Sequence, residues 1–336
     1  MRKTLADKAR LVFASVLVGV LVFSSLSSLL PNQRWTVHST ISTASADSTQ
    51  TALRDQVLDP AVNYLYDNYN ESIGLIHESP EAEFKNNYYI YSDNYLASLV
   101  LGNYDPSNLT MIGRAENITN KMQYYLGLAG IANPINQYMA LNESEFAFNC
   151  SANFNLTSVD GAAIKTTINN QSGSLDPKSY ADIAFLQSVY YHRMDNDSMA
   201  MRVYNDGVNC SINLTGGMGF QDRAFNDSYL YPTYKLALYI YASKLLGQDY
   251  DQQAFDTLIA MQQPNGGFAT SYDSDLQATS GTNTETTSLA VLALNLESPS
   301  PNSKELTSIL LVAGVLSAAL ILVGVSLKIV RRRRTE

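Results

Sequence analysis

Four acidic residues lie in or near the loops that lead into helical patterns: Asp93 in "YSDNYLA", Asp182 in "SYADIAF", Asp222 in "GFQDRAF" and Glu285 in "TNTETTS". Paired carboxylates are what glycosyl transfer needs, one as acid and the other as base or nucleophile. A plainer role competes with this one. Thr282-Asn283-Thr284-Glu285 has capping-box spacing, Ser179-Tyr180-Ala181-Asp182 approximates it, and Asp93 suits a first turn through the helix dipole. The catalytic candidates are therefore Asp93, with Asp222 or Glu285 as its partner.

Tyrosine is the other unusual resource, 22 residues against 11 Phe and a single Trp. Tyr88, Tyr89, Tyr91 and Tyr95 cluster before one helical pattern, Tyr229, Tyr231 and Tyr234 before another, and Tyr272 follows a Gly-Gly-Phe turn. Rings with a polar tip at a wet mouth suit stacking on sugars, and half-buried packing at helix ends is equally compatible. Tyr91, Tyr95, Tyr231, Tyr234 and Tyr272 are the expected ligand-binding set.

The absences exclude much. His38, His77 and His192 are the only histidines, and none has a partner at metal-ligand spacing, so no metal site is expected. His77-Glu78 could form an acid/base pair, though a surface loop is the plainer reading. There is no nucleophile motif and no phosphate-cradling loop, so no cofactor is expected. A net charge of −9, with no basic cluster outside the chain ends, argues against nucleic acid as partner.

The elements that must position these residues are helices of two characters. Leu53, Val57, Leu58, Ala61, Tyr64 and Leu65 keep the spacing of one helical face. So do Ile118, Met122, Tyr125, Leu126 and Ala129, then Ala254, Phe255, Leu258 and Ile259, and more weakly 197–206. Between them lie segments apolar nearly all round: "DNYLASLVL" from Asp93, "ADIAFLQSVYY" from Ala181, "YKLALYIYASKLL" from Tyr234 and "TTSLAVLALNL" from Thr286. Amphipathic then apolar, four times over, predicts an outer layer wrapped around an inner one. "QQPNGGFATSYD" from Gln262, "NESIGLIHESPE" from Asn70 and "TGGMGFQDRAF" from Thr215 punctuate the same step of three hairpins, so the unit is a helical hairpin. In the second hairpin the connection 130–179 is longer, and "EFAFNCSANFNLTSV" within it predicts a small β-hairpin insertion. All long connections fall at one end of the array, where the inner helices begin and where function is expected.

Both chain ends read as membrane segments. Residues 309–327 are uncharged and precede "RRRR" at 331–334, which predicts a transmembrane helix with a basic cytoplasmic tail, 328–336. Basic residues followed by an apolar run make 1–46 a signal peptide or a signal anchor with a linker. Residues 47–304 would then be extracytoplasmic, and the bilayer would be a partner. Sequons at Asn70, Asn108, Asn117, Asn142, Asn149, Asn155, Asn170, Asn196, Asn209, Asn213 and Asn226 fit that placement. So does one disulfide between Cys150 and Cys210, with two free thiols as the alternative.

The stretch 262–294, "QQPNGGFATSYDSDLQATSGTNTETTSLAVLAL", resembles the repeat of α/α-toroid proteins of the prenyltransferase and squalene-cyclase type. In those, a Gln-x-x-x-Gly-Gly-Phe-like turn leads to a Thr-rich, Glu-bearing inner helix. "GLIHESPE" and "YIYSDNYLA", within 74–97, are similar to toroid glycosidases and epimerases. The match covers about one repeat well and two loosely. It implies an α/α-hairpin array of toroid type, partial because four hairpins are few; with the β-hairpin insertion and terminal membrane helices read from the residues above, the expected fold is all-α. The Asp/Cys/His zinc set and Asp-x-Asp-Asp run of the terpenoid enzymes are missing, as is the Gly-Cys-Gly-Glu-Gln thioester, which puts prenyl transfer and cyclisation third. Two functions stand ahead of it. The first is an anchored surface protein binding glycan, envelope polymer or another envelope protein at a Tyr-rich face. The second is a carbohydrate-active hydrolase or lyase using paired carboxylates.

Overall fold

Helices of two characters do alternate along the chain, and the difference in character is a difference in burial. The computed structural model describes residues 52–81, 87–131, 134–142, 153–168, 176–223 and 229–297. A π-helical turn, Arg54–Leu58, runs into α1 (Asp59–Asp67). Then follow α2 (Tyr91–Asn103), α3 (Leu109–Leu128), α4 (Ala181–Arg193) and α5 (Asp197–Val208), and after them α6 (Thr233–Leu246), α7 (Gln252–Ala260) and α8 (Thr284–Asn295). Helices α2, α4, α6 and α8 are the apolar ones, and α6 and α8 are buried along almost their whole length. Helices α3, α5 and α7 each bury one stripe against the preceding apolar helix.

The four apolar helices form a cycle. Helix α8 packs on α2 and α6, α6 packs on α4, and a 3-10 turn, Gln137–Leu141, fills the step between α4 and α2. Lys244 ends that inner layer: its ammonium donates to the carbonyls of Ala293 and Leu294, the open C-terminal end of α8. Aromatic packing joins the layers around Phe185, whose ring centroid lies 5.2 Å from Phe220, 5.6 Å from Tyr239 and 5.9 Å from Tyr204. Truncating a side chain so enclosed costs about 3–5 kcal/mol.

The all-α expectation is corrected, because the fold is mixed α/β, eight helices and four small sheets among the described residues. Three sheets are two-stranded antiparallel pairs built around the long connections: β1 (Tyr69–Asn70) with β2 (Leu75–Ile76), β7 (Ser211–Leu214) with β8 (Gly217–Phe220), and β9 (Tyr231–Pro232) with β10 (Ser271–Tyr272). The reason is physical. These connections run against buried helices, and their peptide groups must be satisfied there, which short strand pairs achieve. The fourth sheet centres on a hairpin, β5 (Asn153–Val159) and β6 (Ala162–Ile168), turned at Asp160-Gly161 with both residues at positive φ. Strand β6 also pairs parallel with β3 (Tyr88–Ile90) and antiparallel with Pro134–Ile135, which is β4.

The expected membrane segments, 1–46 and 309–327, and the tail 328–336 lie outside the described residues. Among the described residues no helix is long and apolar enough to cross a membrane. The described residues therefore give no support to the expectation of a single- or double-pass membrane protein.

Candidate functional site

Each inner helix carries an ionisable or phenolic side chain in its first turn: Asp93 on α2, Asp182 on α4, Tyr234 and Lys235 on α6, and Glu285 on α8. The cycle of helices brings these starts to one end, where the side chains interact. Asp93 is 2% exposed. Its Oδ1 accepts from Ser92 Oγ at 3.2 Å, and its Oδ2 is buried without a hydrogen-bond partner. Burial first, then the charges of Glu285 and Glu78, hold the Asp93 carboxyl well above the usual carboxylate range. Glu285 accepts from the Tyr138 hydroxyl at 2.6 Å. Burial raises its pKa, the Tyr138 hydrogen bond opposes that rise, and Asp182 and Glu78 add to it.

The α4–α6 side is tied more tightly. Asp182 Oδ2 accepts from Tyr234 at 3.1 Å, while its Oδ1 is buried without a partner. Burial raises the Asp182 pKa, against the opposing charge of Lys235. Asp222 lies 2.5 Å from Lys235 Nζ and accepts from the Ala181 amide at 3.1 Å. The Asp222 carboxylate therefore caps α4 from a neighbouring loop and neutralises the lysine. Tyr138 and Tyr234, pressed between these groups, are held well above the ordinary phenol pKa, by burial first and acidic neighbours second.

Two loop devices set these positions. Asn94 mimics a strand partner: it accepts from the Ile76 amide at 2.8 Å and donates to the carbonyls of Ile76 and Ile90, each at 3.0 Å. On the other side of the same loop, Thr284 donates through its hydroxyl to the His77 carbonyl and through its amide to that of Glu78. Residues 76–78 thus clip the starts of α2 and α8 together, with His77 stacked on Tyr89. The parallel register Ile90↔Lys165 places Lys165 of β6 beside the start of α2, and its charge acts on both Asp93 and Glu285.

The capping alternatives are resolved residue by residue. Asn283, and not Thr282, caps α8 by accepting from the Thr286 amide at 2.9 Å, which leaves Glu285 to Tyr138. The N-cap residue of α4 is Tyr180, which offers no side-chain cap, so Asp182 is not one half of a capping box. The charges of Glu285 and Glu78 act on Asp93, whereas Asp222 is paired with Lys235. Of the expected aromatic set, Tyr272 is fully buried and donates to the Met218 carbonyl, with buried Tyr231 beside it, so these two are core residues. Tyr91, Tyr95 and Tyr234 are half-buried at the helix starts, and Tyr229 is 85% exposed.

Cys210 is a free, buried thiol, and its expected partner Cys150 lies outside the described residues. Among the sequon asparagines, Asn108 and Asn196 accept at the starts of α3 and α5, Asn117 donates to Tyr69, and Asn70 donates to Tyr89. Asn149, Asn170 and Asn226 are outside the described residues, as is the side chain of Asn155. Asn142, Asn209 and Asn213 are exposed.

Tyr138, Lys165, Lys235 and Glu78 as an electrostatic neighbour were not foreseen. Lys235 had a signal, a lysine inside an otherwise apolar helix. Tyr138 and Lys165 lie in the long 130–179 connection and had none. Among the described residues no group of three His, Cys, Asp or Glu side chains has the arrangement to hold a metal ion. Compared with known proteins, the sequence matches no family model and no curated protein.

Proposed function

We propose that this chain is a carbohydrate-active enzyme whose acid–base work falls to Asp93 and Glu285. The observation that carries the reading is Asp93: a buried side chain with an unpartnered Oδ2, on which the charges of Glu285 and Glu78 act. A carboxyl in that setting keeps its proton, as a general acid at a glycosidic oxygen must. Glu285 accepts a hydrogen bond that favours its ionised form, which suits a base or nucleophile. Two carboxyls that resist ionising together divide these roles, one protonated and one charged. Asp93 then protonates the departing oxygen while Glu285 either takes a proton from attacking water or attacks the sugar carbon itself. The Asp182–Tyr234 hydrogen bond and the Asp222–Lys235 ion pair brace the neighbouring helix starts, those of α4 and α6.

The test is turnover of a panel of glycans by the full chain, read as release of new reducing ends. Asp93→Asn and Glu285→Gln should each lower kcat by about 10²–10⁴-fold. Equal rates for both variants and the parent would remove the acid–base assignment. The exposed Tyr229 ring favours a second reading, binding without turnover. That reading takes over if panel members bind and none is cleaved.

A further inference from the structure

Beyond the first turn of α2, an open groove of about 420 Å³ runs between α2 and α3. Half-buried Leu99 and buried Ala115 give it an apolar lining. Ser98 and Asn103 face it from α2, and Glu116 and Thr119 from α3. Their hydrogen bonds decide what these side chains offer a ligand. Ser98 Oγ donates to the Tyr95 carbonyl at 2.7 Å, and Thr119 Oγ1 donates to that of Ala115 at 3.1 Å. Each hydroxyl has spent its one hydrogen on its own helix, so only lone pairs are left for the groove. Asn103 Nδ2 donates to the Leu99 carbonyl at 2.7 Å, which leaves Oδ1 as an acceptor. Glu116 is exposed and forms no ion pair among the described residues. Donors are few: the Asn120 amide and the second Asn103 hydrogen.

Acceptors on both walls, one carboxylate and an apolar lining call for a cation with several donors and an apolar stem. A neutral sugar brings no charge and as many acceptors as donors. An ammonium gathers its donors at one point, whereas the acceptors here are spread: Ser98 and Asn103 are five residues apart on α2, a rise of about 7.5 Å. A guanidinium carries its donors across a plane and is weakly hydrated, so it leaves water readily for an open site. The net charge of −9 adds attraction for a basic partner.

We propose that the α2–α3 groove is a docking site for an arginine side chain of a partner peptide. The guanidinium lies between Glu116 and the acceptors of α2, and its methylene stem lies on Leu99 and Ala115. This site shares no residue with the glycan reading and stands or falls independently of it. A carboxylate–guanidinium pair is charge-assisted and bidentate, but in an exposed groove it binds weakly.

The experiment is ligand-observed saturation-transfer NMR on the full chain with three tripeptides: Gly-Arg-Gly, Gly-Lys-Gly and Gly-citrulline-Gly. Citrulline keeps the shape of arginine without its charge. The arginine peptide should bind with a Kd on the order of 1 mM, at least about fivefold tighter than either analogue. Saturation should be strongest at its side-chain methylenes. Glu116→Gln and Thr119→Leu should each weaken binding about fivefold, and added salt should weaken it too. Both substitutions fall at exposed helix positions, and circular dichroism checks each fold; should one variant unfold, the other decides. Equal binding of the lysine peptide overturns the guanidinium assignment, and equal binding of the citrulline peptide overturns recognition of charge. Arginine binding that survives both substitutions lies outside the groove and overturns its placement. Absence of arginine binding removes the proposal outright.

Discussion

The hydroxyl of Tyr138 donates to Oε1 of Glu285 at 2.6 Å, joining the 3-10 turn to the first turn of α8 across 147 positions of sequence. This bond favours ionised Glu285 against burial and the charges of Asp182 and Glu78. Tyr138→Phe should therefore raise the Glu285 pKa and move the acid limb of the pH–rate profile to higher pH. The lost bond should also cost about 1–3 kcal/mol, because a buried carboxylate oxygen loses its donor. A pH profile with an unmoved acid limb would mean that Glu285 is not the base.

Asp93 sets up a conflict between stability and chemistry. Its folded-state pKa is raised above the ordinary value of 3.8, by burial first. Its contribution to stability is thus fully present below that ordinary value and is lost as pH rises through the folded value. Charged groups facing it are Glu285, Glu78 and Lys165, with Tyr64 and Tyr88 nearby. Asp93→Asn keeps the shape and removes the titration. The variant should be inactive yet at least as stable as the parent at neutral pH, with a flatter dependence of Tm on pH on the acid side. A parent more stable than the variant at neutral pH would show that the carboxylate is paired after all.

Lys235 and Asp222 hold the starts of α6 and α4 together at 2.5 Å, with side-chain exposures of 3% and 13%. Removing one member leaves the other charge largely buried, which costs about 3–5 kcal/mol. Lys235→Met and Asp222→Asn should each be strongly destabilising in urea, and the double variant should lose clearly less than the sum. Additive losses would assign the pair no coupling, and Asp222 would then matter only through the Ala181 amide.

Helix positions were legible because burial leaves a mark on composition: a segment apolar all round, such as 234–246, has no face for water, and its neighbours do. The hairpin in the 130–179 connection had its own local alternation, and β5 and β6 form there. The other strands were not legible, because they run only two to four residues and most owe their pairing to distant chain. Tyr88↔Ala163 is a partnership that no local alternation announces. The site divides the same way. Asp93, Asp182 and Glu285 could be picked out because each falls in the first turn of a helix, and Asp222 because it follows a glycine-rich turn. Their roles could not, since Tyr138 decides Glu285 and Lys235 decides Asp222, and both act through tertiary contacts. Tyr231 and Tyr272 misled for the converse reason: aromatic rings near a turn look the same in sequence whether they face ligand or core.

Gly266 closes the cycle of helices. It sits at φ +87°, and a Cβ there would lie 2.2 Å from the Pro60 carbonyl oxygen at the start of α1. Backbone against backbone leaves nothing flexible to move aside. Gln262 fixes the same contact, donating to the Val57 carbonyl at 2.8 Å and to that of Gly266 at 3.0 Å across the turn. The Pro-Asn-Gly-Gly-Phe turn is therefore the seam where the last hairpin meets the first helix, which is why glycine is required there. Gly216 offers a control, since it has a similar φ of +82° with nothing within 4 Å of the added Cβ. Gly216→Ala should cost about 1–2 kcal/mol from the left-handed backbone alone. Gly266→Ala adds the clash and should cost about 2–5 kcal/mol in total. The comparison of urea midpoints separates the two contributions. Equal losses would show that the α1 contact yields freely and that the inner helices hold the cycle without it.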